Sequence, residues 1–348
     1  MSITVRGVDG IGEVRAGADL AAEIGRRIAL ADGDVVVITS KVVSKAEGRV
    51  ARGERAELVD AHTVRVVARR GATRIARTSA GLTLAAAGLD ASNTAPGTVV
   101  LLPLDADASA RALRERLADL HGVTVAVVVT DTAGRAWRNG QTDIAIGVAG
   151  ILPLVDLAGR PDSHGAPLAV TAPAVADEIA AAADLVQGKL SRTPVAVLSG
   201  LADQVLPADE HGPGAAALVR PAAEDLFGWG AADAVRVAVR RDDERGGDGF
   251  PAADGKAADL VDDALTALEP DRLEVRRVDS TTWAATPADG CDPVAAAWAG
   301  GALAERLRVL AASTHRRVQV QQGPHPYVLR WTLHPEPPEP SGGTRGGS

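Results

Sequence analysis

The sequence predicts a mixed α/β fold (α+β in part), and three features carry that expectation. Unbroken runs of β-branched residues, Val35-Val36-Val37-Ile38 and Val123 to Val129, mark strands buried on both faces. Segments between them repeat apolar residues at helical spacing, as in Leu20, Ile24 and Ile28 or Leu113, Leu117 and Leu120. Helix stop and start signals flank those segments, with Gly122 after one and Pro173 and Gly188 bracketing another. Strands alternating with helices over residues 1 to about 200 make a layered core.

In chain order, Asp19 to Ala31 reads as an amphipathic helix and Asp34 to Thr39 as the first buried strand. Asp107 is placed to cap the next helix, Val123 to Val129 is the second buried strand, and Pro173 to Gln187 is an alanine-rich helix. Val195 to Leu198 is a last short strand. A Rossmann fold is not expected. No G-x-G-x-x-G follows the first buried strand, and no G-x-x-x-x-G-K-[ST] occurs.

The organisation expected from composition is one domain over residues 1–240 and a linker rich in Gly, Asp and Arg at 241–255. A small C-terminal α+β domain follows at 256–334, then a Pro/Gly/Ser-rich, disordered tail at 335–348. The small domain should hold helices at Ala257 to Leu268 and Pro293 to Ala312 and strands at Val318 to Val320 and Tyr327 to Leu333. Trp283, Trp298 and Trp331 read as its core.

Whole-chain properties exclude several functions. No apolar run approaches the roughly 18 residues of a membrane helix, and the N-terminus lacks a basic-then-apolar leader. Cys291 is the one cysteine of the chain, which excludes an intrachain disulfide and a thiolate metal cluster. A cytoplasmic protein without membrane association is expected. The net charge of −8 and an aromatic content of 2% argue against nucleic-acid binding.

Four lysines stand among 37 basic residues: Lys41, Lys45, Lys189 and Lys256. In so arginine-rich a chain a retained lysine needs a reason, and a compact ammonium suits phosphate. Two of the four lie in Thr39-Ser40-Lys41-Val42-Val43-Ser44-Lys45-Ala46-Glu47-Gly48-Arg49, which begins where the first buried strand ends. Ligands of open α/β sheets bind at such carboxyl ends. Hydroxyls, ammoniums and a guanidinium together suit a phosphate chain, although a solvated loop would show the same charges.

A second motif, Gly88-Leu89-Asp90-Ala91-Ser92-Asn93, alone reads as an ordinary turn. The third, Thr130-Asp131-Thr132-Ala133-Gly134-Arg135-Ala136-Trp137-Arg138, sets a carboxylate directly after a buried strand. A carboxylate held there suits a hard divalent cation, with the Thr132 hydroxyl beside it. Arg135 and Arg138 can clamp an anionic substrate. A strand-ending turn capped by Asp131 is the plainer reading. In the fourth, Asp177 and Glu178 suit a helix start without any catalytic role, and Lys189 lies just past the helix end. His62, His121, His164 and His211 show no metal-ligand spacing, and no Ser/His/Asp or Cys/His set is evident.

These four blocks, with Gln141, Asp143-Ile144-Ala145-Ile146-Gly147 and Ala183-Asp184-Leu185-Val186, resemble in order and spacing the coenzyme F420-0:L-glutamate ligase family over about residues 3–230. The resemblance implies a family-specific two-layer α/β ligase fold and a homodimer. It implies GTP as co-substrate, Mn²⁺ or Mg²⁺, and K⁺. It implies L-glutamate and the coenzyme F420 precursor as substrates, joined through an acyl phosphate, with further γ-glutamyl links possible. By the same resemblance Asp90, Asp131 and Thr132 are the metal ligands. Ile11, Gly12, Glu13, Val14, Ser40, Lys45, Asn93, Gln187, Gly188 and Lys189 contact the nucleotide. Lys45, Asp131, Arg135 and Arg138 carry the chemistry. Gly12 stands where the family has proline. Some relatives carry a C-terminal FMN-binding domain, which residues 256–333 do not resemble, so FMN is not expected. An amide ligase for another small carboxylic acid would share this core. A non-catalytic nucleotide-binding regulator is the other alternative.

Overall fold

In the computed structural model the run Val35-Val36-Val37-Ile38 forms the middle of a five-stranded sheet, with all four side chains fully buried. The described residues are 2–70, 72–92, 94, 97–221, 257–266, 272–313, 316–322 and 329–335, with 225, 227, 230, 234–236 and 239. They divide into two compact units, Met1–Thr63 with Arg77–Arg220, and Val64–Ala76 with Pro221–Ser348. This division departs from a boundary at 240, because the segment Val64–Ala76 joins the later part of the chain. The expected linker at 241–255 lies outside the described residues.

The first unit contains β1 (Thr4–Gly7), α1 (Leu20–Gly25), β2 (Val35–Thr39), α2 (Ser40–Ala46), β3 (Val50–Arg52) and α3 (Arg55–Ala61). After β4 (Arg65–Arg70) and β5 (Thr73–Arg77), which fall to the second unit apart from Arg77, come β6 (Thr83–Ala85), β7 (Thr98–Val100), α4 (Ala106–His121), β8 (Ala126–Arg135), β9 (Arg138–Ala149), α5 (Val175–Gln187) and β10 (Val195–Ser199). The main sheet has the order β1-β10-β2-β8-β9. Only the central pair β2 and β8 is parallel, with Val35 opposite Ala126 and Thr39 opposite Thr130. The outer pairings are antiparallel.

Period-2 alternation sends successive residues of each strand to opposite faces. Val36, Ile38, Val127 and Val129 pack with Ile24 of α1 and Leu113 and Leu117 of α4. Val35, Val37, Ala126 and Val128 pack with Ala176, Ile179 and Ala183 of α5. The mixed α/β class is as the sequence predicts, and helices cover both sheet faces, one layer more than the two expected. Each fully buried Val or Ile here contributes roughly 1.5–3 kcal/mol, so the two clusters hold the sheet between its helices.

Helix boundaries follow local chemistry. Asp19 caps α1 by accepting from the Ala22 amide at 3.0 Å, but the helix ends at Gly25, short of the predicted Ala31. Helix α5 ends at Gly188 (φ 53°), as expected. Helix α4 is capped by Asp105, which accepts from the Ala108 amide at 2.8 Å, and not by Asp107. Asp107 Oδ1 instead accepts from the amides of Val148 (2.7 Å) and Ala215 (2.6 Å), tying the start of α4 to β9 and to a 3₁₀ turn at Ala215–Leu218.

The second unit contains α6 (Ala257–Thr266), β11 (Leu273–Arg277), β12 (Thr282–Pro287), α7 (Pro293–Ser313), β13 (Arg316–Gln322) and β14 (Leu329–Pro335). Its antiparallel sheet runs β11-β12-β14-β13, with a core of Leu260, Leu303, Leu307, Trp283, Trp331 and Leu333. The α+β extension is thus as expected, with two of its three tryptophans in the core. Trp298 is not: it stands on α7 with 80% of its surface exposed. Residues 327–328 of the predicted last strand and 336–348 of the tail lie outside the described residues.

Candidate functional site

The parallel register of β2 and β8 builds the site. Thr39 and Thr130 are partners, so the residues that follow them, Ser40 and Asp131, meet at the carboxyl ends of two central strands. Ser40 Oγ donates to Asp131 Oδ1 at 3.1 Å. Asp131 does not follow a strand end, as the sequence suggested. Strand β8 continues to Arg135, and opposite the Val129–Thr130 step the partner strand β9 carries one extra residue, Ile146, a bulge beside the aspartate. Bulges re-aim side chains next to functional sites.

Helix α2 starts at Ser40 and carries both lysines of the first motif. Lys41 Nζ lies 2.7 Å from Asp90 Oδ2 and donates to the carbonyl oxygen (2.9 Å) and hydroxyl (3.0 Å) of Ser92. The Ser92 amide donates back to Asp90 Oδ1 at 2.6 Å. Asp90 itself is paired through its backbone with Val100. The turn at Gly88 to Ser92 is therefore fixed to α2, which a turn reading of that motif does not foresee.

One turn further along α2, Lys45 Nζ lies 2.6 Å from Glu13 Oε1. Glu13 and Gly12 are exposed on a loop whose flanks, Ile11 and Val14, are buried in the core. That loop is also held by Arg27 Nε donating to Gly10 O (2.7 Å) and by Gly17 N donating to Ala46 O (2.7 Å). Residues 11–14, Ser40, Lys41, Lys45, Asp90 and Asp131 thus gather around one short helix.

The electrostatics of Asp131 set it apart. Burial pushes its carboxyl up to about 7, and the neighbouring carboxylates of Asp143 and Asp90 push the same way, against the Ser40 and Thr132 hydrogen bonds. Asp90 is also raised by its burial, but the Lys41 and Ser92 hydrogen bonds outweigh this and hold it below the usual carboxylate range.

Thr132 is turned the other way. Its hydroxyl donates to Asp143 Oδ1 (2.8 Å), while Thr130 donates to Asp143 Oδ2 (2.9 Å). The antiparallel register that sets Thr132 opposite Asp143 places this group on the α5 side of the sheet, away from Ser40. Asp184 of α5 belongs there too. Burial raises its carboxyl, Asp143 adds to the rise, and Lys189 lowers it. Asp143 and Asp184 are functional candidates that sequence reasoning passed over. The signal was present in the Thr-x-Thr spacing and the Asp 11 residues after Thr132, but only the hairpin register joins them.

Gln187 is buried and donates to Val37 O (3.4 Å) and Pro194 O (3.1 Å), bracing β2 rather than facing solvent. Gly188 and Lys189 beyond it are exposed. Arg135 and Arg138 flank the tip of the β8–β9 hairpin, where Arg135 Nη2 donates to Asn139 O at 2.8 Å. Asn93 lies outside the described residues.

Among the described residues no three His, Cys, Asp or Glu side chains converge to hold a metal by themselves. The donor set still fits a hard divalent cation. Asp131 is recessed, repelled by two carboxylates and countered mainly by hydroxyl and amide dipoles. Mg²⁺ in particular is held by one or two carboxylates together with substrate phosphates rather than by a full protein cage.

The arrangement sets carboxylate and hydroxyl oxygens beside lysines of a short helix at the carboxyl ends of parallel strands, a chemistry that suits a polyanion. Comparison with known sequences narrows it. The sequence model of the F420-0:Gamma-glutamyl ligase family matches residues 10–200. Coenzyme F420:L-glutamate ligase of Archaeoglobus fulgidus is 38% identical over 221 residues, 58% of this chain and 89% of that protein. Its counterpart in Methanopyrus kandleri is 37% identical over 236 residues, 62% and 93% respectively. The Halobacterium salinarum ligase is 41% identical over 217 residues, 55% and 84%. The chain belongs to the F420-0:gamma-glutamyl ligase family.

Proposed function

We propose that the chain is a GTP-dependent ligase that joins L-glutamate to the carboxylate of the coenzyme F420 precursor. The observation that carries this reading is the meeting of Ser40, Lys41, Asp90 and Asp131 at the ends of β2 and β8, in a chain of this family. Lys45, with Lys41, neutralises the phosphate chain. The substrate carboxylate attacks the γ-phosphorus and GDP leaves, giving an acyl phosphate. The amine of glutamate then attacks the acyl carbon, the bond from that carbon to the bridging oxygen breaks, inorganic phosphate leaves with the oxygen and its electron pair, and the amide remains after loss of a proton from nitrogen. No covalent enzyme intermediate is needed, so positioning and charge neutralisation dominate.

Asp131 and Asp90 are the residues that would hold Mg²⁺ or Mn²⁺; Thr132, expected beside them, gives its hydroxyl to Asp143 on the other face of the sheet and is not part of that set. When bound, the cation neutralises phosphate oxygens and eases their displacement. Arg135 and Arg138, on the exposed hairpin, grip the carboxylates of glutamate. The homodimer and the K⁺ ion belong to the same reading and rest on the family resemblance. Incubating the full chain with the precursor, GTP, Mn²⁺ and glutamate tests the activity by mass spectrometry. A product heavier by one glutamyl residue is expected. Unchanged precursor with no phosphate release would refute the ligase.

A further inference from the structure

A cavity of about 440 Å³ lies within the first unit, walled mostly by apolar side chains. That size falls in the range of pockets for small organic ligands. Leu89, Leu102 and Ile146 are part of its wall. Leu89 directly precedes Asp90, so the cavity adjoins the proposed phosphoryl-transfer site through the backbone. Ile146 packs in the core cluster on the same sheet face as Val129.

The polar side chains of the wall are unequally committed. Asp105 caps α4 and Asp107 is taken up by the amides of Val148 and Ala215. Arg49 spends one donor, Nε, on Leu102 O at 3.2 Å. Arg111 makes no hydrogen bond or ion pair with the described residues. The wall therefore offers guanidinium donors that no carboxylate pairs with directly, its two aspartates being engaged by backbone amides. Its backbone is also strained where it approaches Asp90. Ala86 (φ 51°) and Ala87 (φ 53°) are left-handed without being glycine, and Gly88 (φ 73°) follows. Such strain persists where surrounding structure enforces it, often beside functional groups.

We propose that this cavity seats the non-reacting body of the carboxylate substrate. A planar apolar ring system packs against Leu89, Leu102 and Ile146, and an anionic group of the same molecule meets Arg111 and Arg49. The reacting carboxylate then extends past Leu89 toward Asp90 and Lys41. This rests on the ligase reading above and adds the location and chemistry of the acid substrate's pocket.

The test is equilibrium binding to the full chain, followed by the ring fluorescence of two deazaflavin probes. One is the coenzyme precursor with its phosphodiester, and the other is the ring fragment lacking it. Ala80 is on the exposed rim, so Ala80→Trp obstructs the cavity without disturbing the core. It is expected to weaken both probes about tenfold or more, a loss typical of blocked apolar burial. Arg111→Gln is expected to weaken the precursor about fivefold or more and the ring fragment less than twofold, because only the precursor offers an anion. Precursor binding within about twofold of wild type for both variants would overturn the proposal. So would a wild-type chain that binds neither probe saturably. Variant effects as expected in a chain that never ligates glutamate would keep the pocket and refute the activity. Ligation with an unchanged precursor KM in Ala80→Trp would do the reverse.

Discussion

Lys41 Nζ and Asp90 Oδ2 stand 2.7 Å apart, and this pair fastens the turn at Gly88 to Ser92 onto the first turn of α2. Both side chains keep solvent contact, with 21% and 34% of their surface exposed. Pairs this accessible add only about 0–1 kcal/mol to stability. Lys41→Met should therefore leave the melting temperature within about 3 °C of wild type. Its cost should fall on catalysis, where Asp90 loses its anchor and the phosphate chain loses a cation. A drop in kcat/KM of about a hundredfold is expected from steady-state assays. A variant with near-normal kcat/KM would remove Lys41 and its hold on Asp90 from the mechanism.

Asp131→Asn keeps the shape of the side chain and removes its charge. If that carboxylate holds the cation against the phosphates, as proposed above, turnover with Mn²⁺ should fall by at least about a hundredfold. Stability should move the other way in chelated protein. The folded carboxyl titrates at about 7 against an ordinary value of 3.8, so the charged form is disfavoured by folding. Its destabilising contribution is absent at pH below the ordinary value, grows between the two, and is complete above about 7. Thermal melts with EDTA from pH 4 to 8 should show the asparagine variant gaining on wild type across that window. Parallel melting curves would show that Asp131 is not strained by its surroundings.

Arg114 plays a structural part, away from the proposed site. Its guanidinium is buried, and it donates to the carbonyl oxygens of Val125 (2.7 Å), Leu206 (2.8 Å), Pro207 (2.8 Å) and Glu210 (2.8 Å). It thereby fixes the 206–211 loop to α4 and the start of β8. A lysine has three donors on one nitrogen and cannot reproduce this fan. Arg114→Lys should lose about 2–4 kcal/mol, from carbonyl groups left unsatisfied in the interior. Urea denaturation measures the loss, and hydrogen exchange should rise first at residues 206–211. An unfolding midpoint equal to wild type would mean that water replaces the guanidinium without penalty.

What the sequence makes legible here is local. The run Val35 to Ile38 is a buried strand because nothing polar interrupts it, and Asp19 caps a helix because the acceptor and the amide are three residues apart. Ser40, Lys41 and Lys45 stand out in the sequence by residue type and by their place after a buried strand, whereas residues 11–14 are singled out only by the family resemblance. The rest depends on register and long-range pairing. The polar string Thr130-Asp131-Thr132 reads as a turn, yet pairing with β9 extends the strand through it. That same pairing sends Thr132 to Asp143 and leaves Asp131 with Ser40, which spacing alone cannot decide. Asp105 and Asp107 are equally good caps by sequence, and only the amides of Val148 and Ala215 show which of them is needed elsewhere. The association of residues 64–76 with the later chain has no local signature.

Glu13 and Lys45 supply the last prediction. The lysine side chain is 12% exposed and the glutamate 71%, so a mostly buried cation has an exposed acid at its open side. A phosphate chain arriving at α2 competes with that acid for the ammonium. Glu13→Gln removes the competitor and should tighten nucleotide binding by about two- to fivefold, the range set by an exposed ion pair worth about 0.4–1 kcal/mol. The gain should shrink as salt is raised, because the competing charge is solvent-exposed. Lys45→Met should act in the opposite direction, weakening nucleotide by about tenfold or more at any salt concentration. Calorimetric titration of GTP into the three proteins at low and moderate ionic strength separates the effects. Weaker binding in Glu13→Gln would mean that the glutamate contacts the nucleotide favourably, through its base or ribose, instead of guarding the lysine.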